Sequence, residues 1–303
     1  MDTFISYASP DATTADEVTL VLSGARLKVW RDTARIGIGS LLRSELQSAI
    51  GRSRSIVLLW SKASARSRWV AAEILTAYHL GRFIVPIVLD KTALPQFLGA
   101  SVYLDMANRR EAALASLPRA VRRAPKSANA ILPPMRSPGE ALSGISDSLN
   151  RAQHLELDFL SKRDLENARK IHAYFDPFVK HARKLHRFDP DLLALAGYHA
   201  KNGYMEKHWD AIQAGRPPKD RLLRDAEKCF LEALLVNPRD YVGLDGLGSV
   251  LMLERELEAA VFFFDKAITL AAADGVDYAE AKQNLQSANH FLDKSAAAGA
   301  VSR

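Results

Sequence analysis

The sequence predicts an α/β unit built on a five-stranded parallel sheet, followed by an all-α unit. Three observations carry that expectation. Up to about residue 123, short β-rich apolar runs alternate with stretches of helical spacing, the pattern of repeated βαβ units. A polar segment with several prolines, 124–137, then interrupts it. Beyond that segment the periodic stretches are helical, and two of them, 34 residues apart, match each other.

Taken in order, TFISY (3–7) is the first strand, and Ser9-Pro10 offers an N-cap and a proline at the first helical position for a helix reaching about Leu22. RLKVW (26–30) is the second strand. After a glycine-bearing loop, 31–40, the stretch LLRSELQSAI places apolar residues at 41, 42, 46, 49 and 50, which is helical spacing. SIVLLW (55–60) is a continuous apolar run of strand length, as a strand covered on both faces requires. The helix containing WVAAEILTAYHL follows. FIVPIVL (83–89) is a fourth strand, with Pro86 making it irregular or placing it near an edge. VYLDM (102–106) is a weak fifth, and 109–123 a closing helix.

The expected organisation is a first domain at 1–123, a linker at 124–137, a helical connector at 138–190 and helical repeats with a capping helix at 191–303. Ser137-Pro138-Gly139-Glu140 reads as a capping box that opens the connector. In the repeats, 225–238 and 258–271, the latter read with one residue of offset, align at a spacing of 34: Ala226 with Ala260, Phe230 with Phe264, Ala233 with Ala267. Pro238 closes the first unit, and Leu244, Leu247 and Gly248 sit in the first helix of the second. This resembles the tetratricopeptide repeat, whose small residues let paired helices approach closely. The helix at 192–204 is read as a partner followed by an insertion, 205–224, and 278–292 as the capping helix. Such an array implies a scaffold or a surface for a protein or peptide partner.

The net charge of +6 is uneven: residues 1–126 hold 18 Lys/Arg against 10 Asp/Glu, and the rest balances at −2. A basic first half suits a phosphate-bearing ligand, nucleic acid or simple solubility. No recognition-helix or RNA-platform motif is present, so nucleic acid is not an expected partner. The start lacks a basic region with a long apolar core, no stretch approaches a membrane span, and the single cysteine, Cys229, allows no intrachain disulfide. A cytoplasmic protein without a membrane partner is expected. The eight histidines show no metal-ligand spacing and there is no phosphate-binding GxxxxGK[ST] loop, so neither a metal site nor a cofactor is expected.

In an open parallel sheet, ligands collect beyond the carboxyl ends of the strands where the winding reverses. Tyr7, Ala8 and Ser9 on one side, and Ser61 with its loop on the other, would line that crevice. In SRWVAAEI (67–74), Glu73 lies four residues after Trp69, so both side chains share one helix face near the same edge. A carboxylate beside an indole has three readings: surface chance, a structural hydrogen bond, or a reactive group against an aromatic wall.

FISYASPD, LKVWRD with the ARIGIGS loop, IVLLWSKASARSRWVAAEI and FIVPIVLD, in that order, resemble the Toll/interleukin-1 receptor (TIR) domain over the first 120 or so residues. The resemblance implies a flavodoxin-like fold. It also implies one of two activities: cleavage of NAD⁺ at the nicotinamide–ribose bond, or adaptor function by self-association. Ser-x-Trp-x-x-x-Glu matches at Ser67, Trp69 and Glu73, which puts Glu73 at the family's catalytic position. Ile38, Gly39 and Leu41 belong to the loop that in the family covers a neighbouring subunit's site, so they are assigned to assembly. Tyr7, Ala8, Ser61, Trp69, Asp32 and Arg35 are the expected NAD⁺ contacts. Some family enzymes have a basic residue where Ala8 stands, so a phosphate contact would fall to Arg35, Arg43 or Arg66. Trp30 and Trp60 are read as core.

The preferred reading is a self-associating NAD⁺-cleaving enzyme, giving ADP-ribose or a cyclic isomer, in a bacterial-type defence or cell-death setting implied by the resemblance. The alternatives are a non-enzymatic adaptor and, for the same chemistry on another substrate, a nucleoside deoxyribosyltransferase.

Overall fold

The computed structural model describes residues 2–31, 44–98, 101–124, 153–185 and 189–301. The chain divides into two compact units, Met1–Pro133 and Pro134–Arg303. The expected linker beyond residue 124, the capping box at 137–140, and Asp32, Arg35, Ile38, Gly39, Leu41 and Arg43 all lie outside the described residues.

In the first unit the elements run β1 (Thr3–Ser6), α1 (Ala12–Gly24), β2 (Val29–Arg31), α2 (Ser44–Arg52), β3 (Ser55–Trp60), α3 (Arg68–His79), β4 (Phe83–Val88), β5 (Leu104–Asp105) and α4 (Arg110–Arg122). The five strands form one sheet in the order β2-β1-β3-β4-β5, every pair parallel. This is the flavodoxin-like arrangement. β1 and β3 are buried throughout because helices cover both faces. On one face Ile5, Val57, Leu59, Val85 and Ile87 pack with Ala15, Val18 and Leu22 of α1 and with Leu117 and Val121 of α4. The opposite parity of the same strands therefore points to the other face.

Two local expectations need correction. Ser9 does not cap the first helix: Ser9–Asp11 form a 3-10 turn with Pro10 in its first positions, and α1 starts only at Ala12. The Asp11 carboxylate, drawn to serines after β3, is not spent on capping either. The second strand cannot begin at residue 26, because Arg26 is left-handed (φ 59°) and closes the α1 terminus, its amide bonded to Ser23 O and that of Leu27 to Leu22 O. Pro86 does lie near an edge, as expected: β4 is next to the outermost strand, and β5 pairs only with Ile87 and Val88.

The second unit is helical in its described residues. A helical stretch at 153–161 precedes α5 (Leu165–Leu185), α6 (Pro190–Gln213), α7 (Arg221–Val236), α8 (Tyr241–Leu253), α9 (Leu257–Ala273) and α10 (Ala279–Val301). Successive helices from α5 onward pack against one another. Aspartates cap four of them: Asp164, Asp189, Asp220 and Asp240 accept the amides of Asn167, Leu192, Leu222 and Val242. The expected insertion at 205–224 is mostly more helix, since α6 continues to Gln213 through a kink at His208. Glycines bring the helices close. A Cβ on Gly197 or Gly246 would fall 2.8 or 2.1 Å from the Phe230 ring, and one on Gly248 2.7 Å from that of Phe264.

Candidate active site at the sheet's carboxyl edge

The chain leaves β1 toward β2 on one side and returns to β3 on the other, so the winding reverses between β1 and β3. The residues that follow these two strands meet at that point. Asp11 accepts the Ser61 hydroxyl at 2.7 Å, and Ser64 Oγ lies 3.1 Å from the same carboxylate oxygen and 2.6 Å from Leu59 O. Ser61 Oγ in turn accepts the amides of Ala63 and Ser64. On the far side, Asp90 after β4 accepts the Lys62 amide at 2.8 Å, and Trp60 Nε1 donates to Ala93 O. Hydrogen bonds from Thr92 and then from the Lys62 amide hold the Asp90 carboxyl below the usual carboxylate range. The three connections are thereby laced into one edge.

Glu73 reaches this edge from α3. Ser67 caps that helix by accepting the Val70 amide, and from Val70 to Ala77 every residue is buried. Glu73 is 8% exposed, and its Oε2 accepts the Ser6 hydroxyl at 2.5 Å. Ser6 ends β1 and shares the parity of Phe4, away from the α1–α4 core, which is why its hydroxyl meets α3. A carboxylate this far from water requires such donors to remain in place. Trp30, in register with Phe4, stacks on it at 4.9 Å and stays half-buried on the same face.

The expected contact residues do not all gather here. Ser61 and Glu73 both stand at the carboxyl edge, and Ala8 is buried beside it. Ser61 is itself buried, and its hydroxyl is engaged in the Asp11 network. Tyr7 packs against the α1–α4 core, with the Arg31 guanidinium 5.4 Å from its ring centroid, so it belongs to the face opposite Glu73. Trp69, one turn before Glu73, is half-buried, with the Arg68 guanidinium 5.7 Å from its ring centroid. Arg66 is exposed. Trp60 is core as expected, whereas Trp30 is only half-buried. Ser6, Asp11, Ser64 and Asp90 were missed: a short polar residue after a strand carries no periodic signal, and only the parity of β1 could have singled out Ser6.

One histidine group does form, although no spacing announced it. Glu156, His172 and His199 come together from three helices of the second unit. His172 Nδ1 lies 2.8 Å from Glu156 Oε1, and the two imidazoles stack at 3.9 Å with planes 2° apart. Parallel rings aim their in-plane lone pairs side by side rather than at one point, so in this arrangement the group is a hydrogen-bonded stack. Burial, and then the neighbouring His172, push His199 down to about 4.

Residues 3–118 match the family model of the TIR domain. Two solved structures are similar to part of this chain. The TIR domain of the Toll-related receptor TRR-2 from Hydra magnipapillata shares 21% identity over 40% of this chain and 98% of that one, with a TM-score of 0.36. The TIR domains of the activated Roq1 resistosome, which directly recognises the pathogen effector XopQ, share 20% identity over 40% of this chain and 83% of theirs, with a TM-score of 0.29. No curated protein matches the chain. Among the described residues no helix is long and apolar enough to cross a membrane.

Proposed function

We propose that the TIR domain cleaves NAD⁺ between nicotinamide and ribose, with Glu73 as the catalytic carboxylate. The observation that carries this is a glutamate held almost out of water at the carboxyl edge of the sheet, at the winding switch point where α/β sheets place ligands. Glycosidases commonly need a second carboxyl group to protonate the leaving oxygen. NAD⁺ does not, because its leaving group is already a pyridinium: as the C1′–N bond breaks, the electron pair goes to nitrogen and nicotinamide departs neutral. The positive charge then develops on the ribose. A carboxylate screened from bulk water stabilises that oxocarbenium-like centre well. Water adds its oxygen to C1′ and releases a proton, giving ADP-ribose; attack by an adenine nitrogen instead gives a cyclic isomer.

Assembly belongs to the proposal. Self-association through the TIR domain would bring a neighbour's loop, including Ile38, Gly39 and Leu41, over the site and exclude water. The helical unit, read as tetratricopeptide-like, recruits a protein or peptide, and the setting is a bacterial-type immune response. Purified protein incubated with NAD⁺ at high protein concentration should release nicotinamide, and Glu73→Gln should slow that release about 100-fold or more. Wild-type turnover by Glu73→Gln would remove the proposal.

The Ser6 bond favours a second reading. A glutamate whose carboxylate accepts a buried hydroxyl has a structural reason to exist, as it would in a non-enzymatic adaptor. Absence of nicotinamide release in every assembly state, with Ser6→Ala and Glu73→Gln both lowering stability, would favour the adaptor.

A further inference from the structure

The second unit holds a cavity of about 280 Å³ walled by α6, α8 and α10, near the lower end of the size range for small-ligand sites. Its lining is mixed: Tyr198 and Lys201 from α6, Asp245 and Ser249 from α8, and Glu280 and Asn284 from α10 bring polar and charged groups, while Leu157, Met205, Met252 and Leu253 supply an apolar wall. Lys201 is only 7% exposed. Among the described residues its ammonium has neither a hydrogen bond nor an ion pair, and its one close partner is the face of Tyr198, 4.9 Å from Nζ to the ring centroid. Burial lowers its pKa from the ordinary lysine value.

The neighbouring carboxylate is treated differently. Asp245, 2% exposed, accepts the Tyr198 hydroxyl at 2.9 Å and the Asn284 amide at 2.9 Å. Buried charges of opposite sign on one wall ordinarily close into an ion pair, because an unpaired buried charge is costly. Here Tyr198 and Asn284 hold the carboxylate, Tyr198 supports the ammonium, and space is kept between them. The ammonium, making no hydrogen bond among the described residues, is placed to take an acceptor from outside the protein. A polyanion is a poor candidate, since Asp245 and Glu280 share the lining. A ligand with a single carboxylate for Lys201 and a cationic group for the acidic side fits the size, the polarity and both signs of charge.

We propose that this cavity binds a free α-amino acid, its carboxylate on the Lys201 ammonium and its own ammonium toward Asp245 and Glu280. The site lies wholly within the helical unit and does not depend on the chemistry at Glu73.

The test is calorimetric titration and thermal unfolding of the full chain against the twenty free amino acids at millimolar concentration. At least one should bind and raise the unfolding temperature of the second unit. Lys201→Met, which keeps the apolar stem, should weaken that binding about tenfold or more, because a charge-assisted hydrogen bond is lost. Without ligand the same variant should unfold no earlier than wild type, since it removes an unpaired buried charge rather than a structural one. Glu280→Gln should weaken amino acids and leave their N-acetyl derivatives unaffected. Three results would overturn the proposal: no amino acid binds the wild type, Lys201→Met binds as well as wild type, or N-acetyl amino acids bind as tightly as free ones. The last would point to the carboxyl terminus of a peptide instead.

Discussion

The bond between Ser6 and Glu73 joins the first strand to the third helix and can be weighed directly. A hydrogen bond to an ionised group contributes about 1.5–3 kcal/mol net, and a buried partner left unpaired suffers the full desolvation cost. Ser6→Ala withdraws a 2.5 Å donor from a carboxylate that is 8% exposed, so a loss of about 2 kcal/mol is expected. Glu73→Leu strands a hydroxyl in a fully buried strand end and should cost a comparable amount. Together the two changes remove both partners, so the double variant should be more stable than the sum of the singles by about 1–3 kcal/mol. Urea unfolding followed by tryptophan fluorescence reads this well, because Trp30, Trp60 and Trp69 report the first unit and only Trp209 the second. Losses that add within about 0.3 kcal/mol would show that the two groups do not support each other, and would undo the account of why Glu73 stays in place.

Other consequences follow from the packing and the charges. Gly246→Ala drives a methyl to 2.1 Å from the buried Phe230 ring and should destabilise the second unit by about 1–3 kcal/mol in urea melts; Gly24→Ala, with open space around it, should be neutral or stabilising by about 0.4–1 kcal/mol. Asp220 is held below the usual carboxylate range by hydrogen bonds from Lys207 and His208 and by the Leu222 amide. A depressed carboxylate contributes stability above its unfolded pKa that is lost as pH falls, so Asp220→Ala should cost about 1 kcal/mol or more at neutral pH and progressively less in acid, as thermal melts across pH would show. Burial raises the Cys229 thiol to about 11, so it should resist a thiol-reactive dye in the native protein and react once urea unfolds it.

Legibility followed the range of the interaction. The alternation of runs up to residue 123 placed all five strands and four helices, because burying a sheet on both faces imposes continuous apolar strands and one-sided helices wherever it occurs. SIVLLW is the clearest case: six apolar or small residues, six buried positions. The Phe230–Phe264 equivalence marks a repeat whose small residues let paired helices approach, and Gly246 and Gly248 are small residues that leave room for those two rings. Short-range readings failed where a distant group competed. Asp11 left its helix for Ser61 and Ser64, fifty residues on, and apolar spacing does not announce that α6 continues through a kink at His208 into the expected insertion.

By itself the sequence determined which segments are strands and helices, that a parallel sheet precedes a helical array, and that Glu73 stands on the third helix one turn beyond Trp69. These follow from periodicity, which records how much of each element must leave water. Only the tertiary structure decided that Ser6 is a group Glu73 meets, that Tyr7 turns to the opposite face, and that Lys201 faces a cavity with no ion pair among the described residues while Asp245 finds two donors. Hydrogen bonds and ion pairs act over a few ångströms between residues far apart in the chain, and spacing along the chain carries no record of which of them will touch.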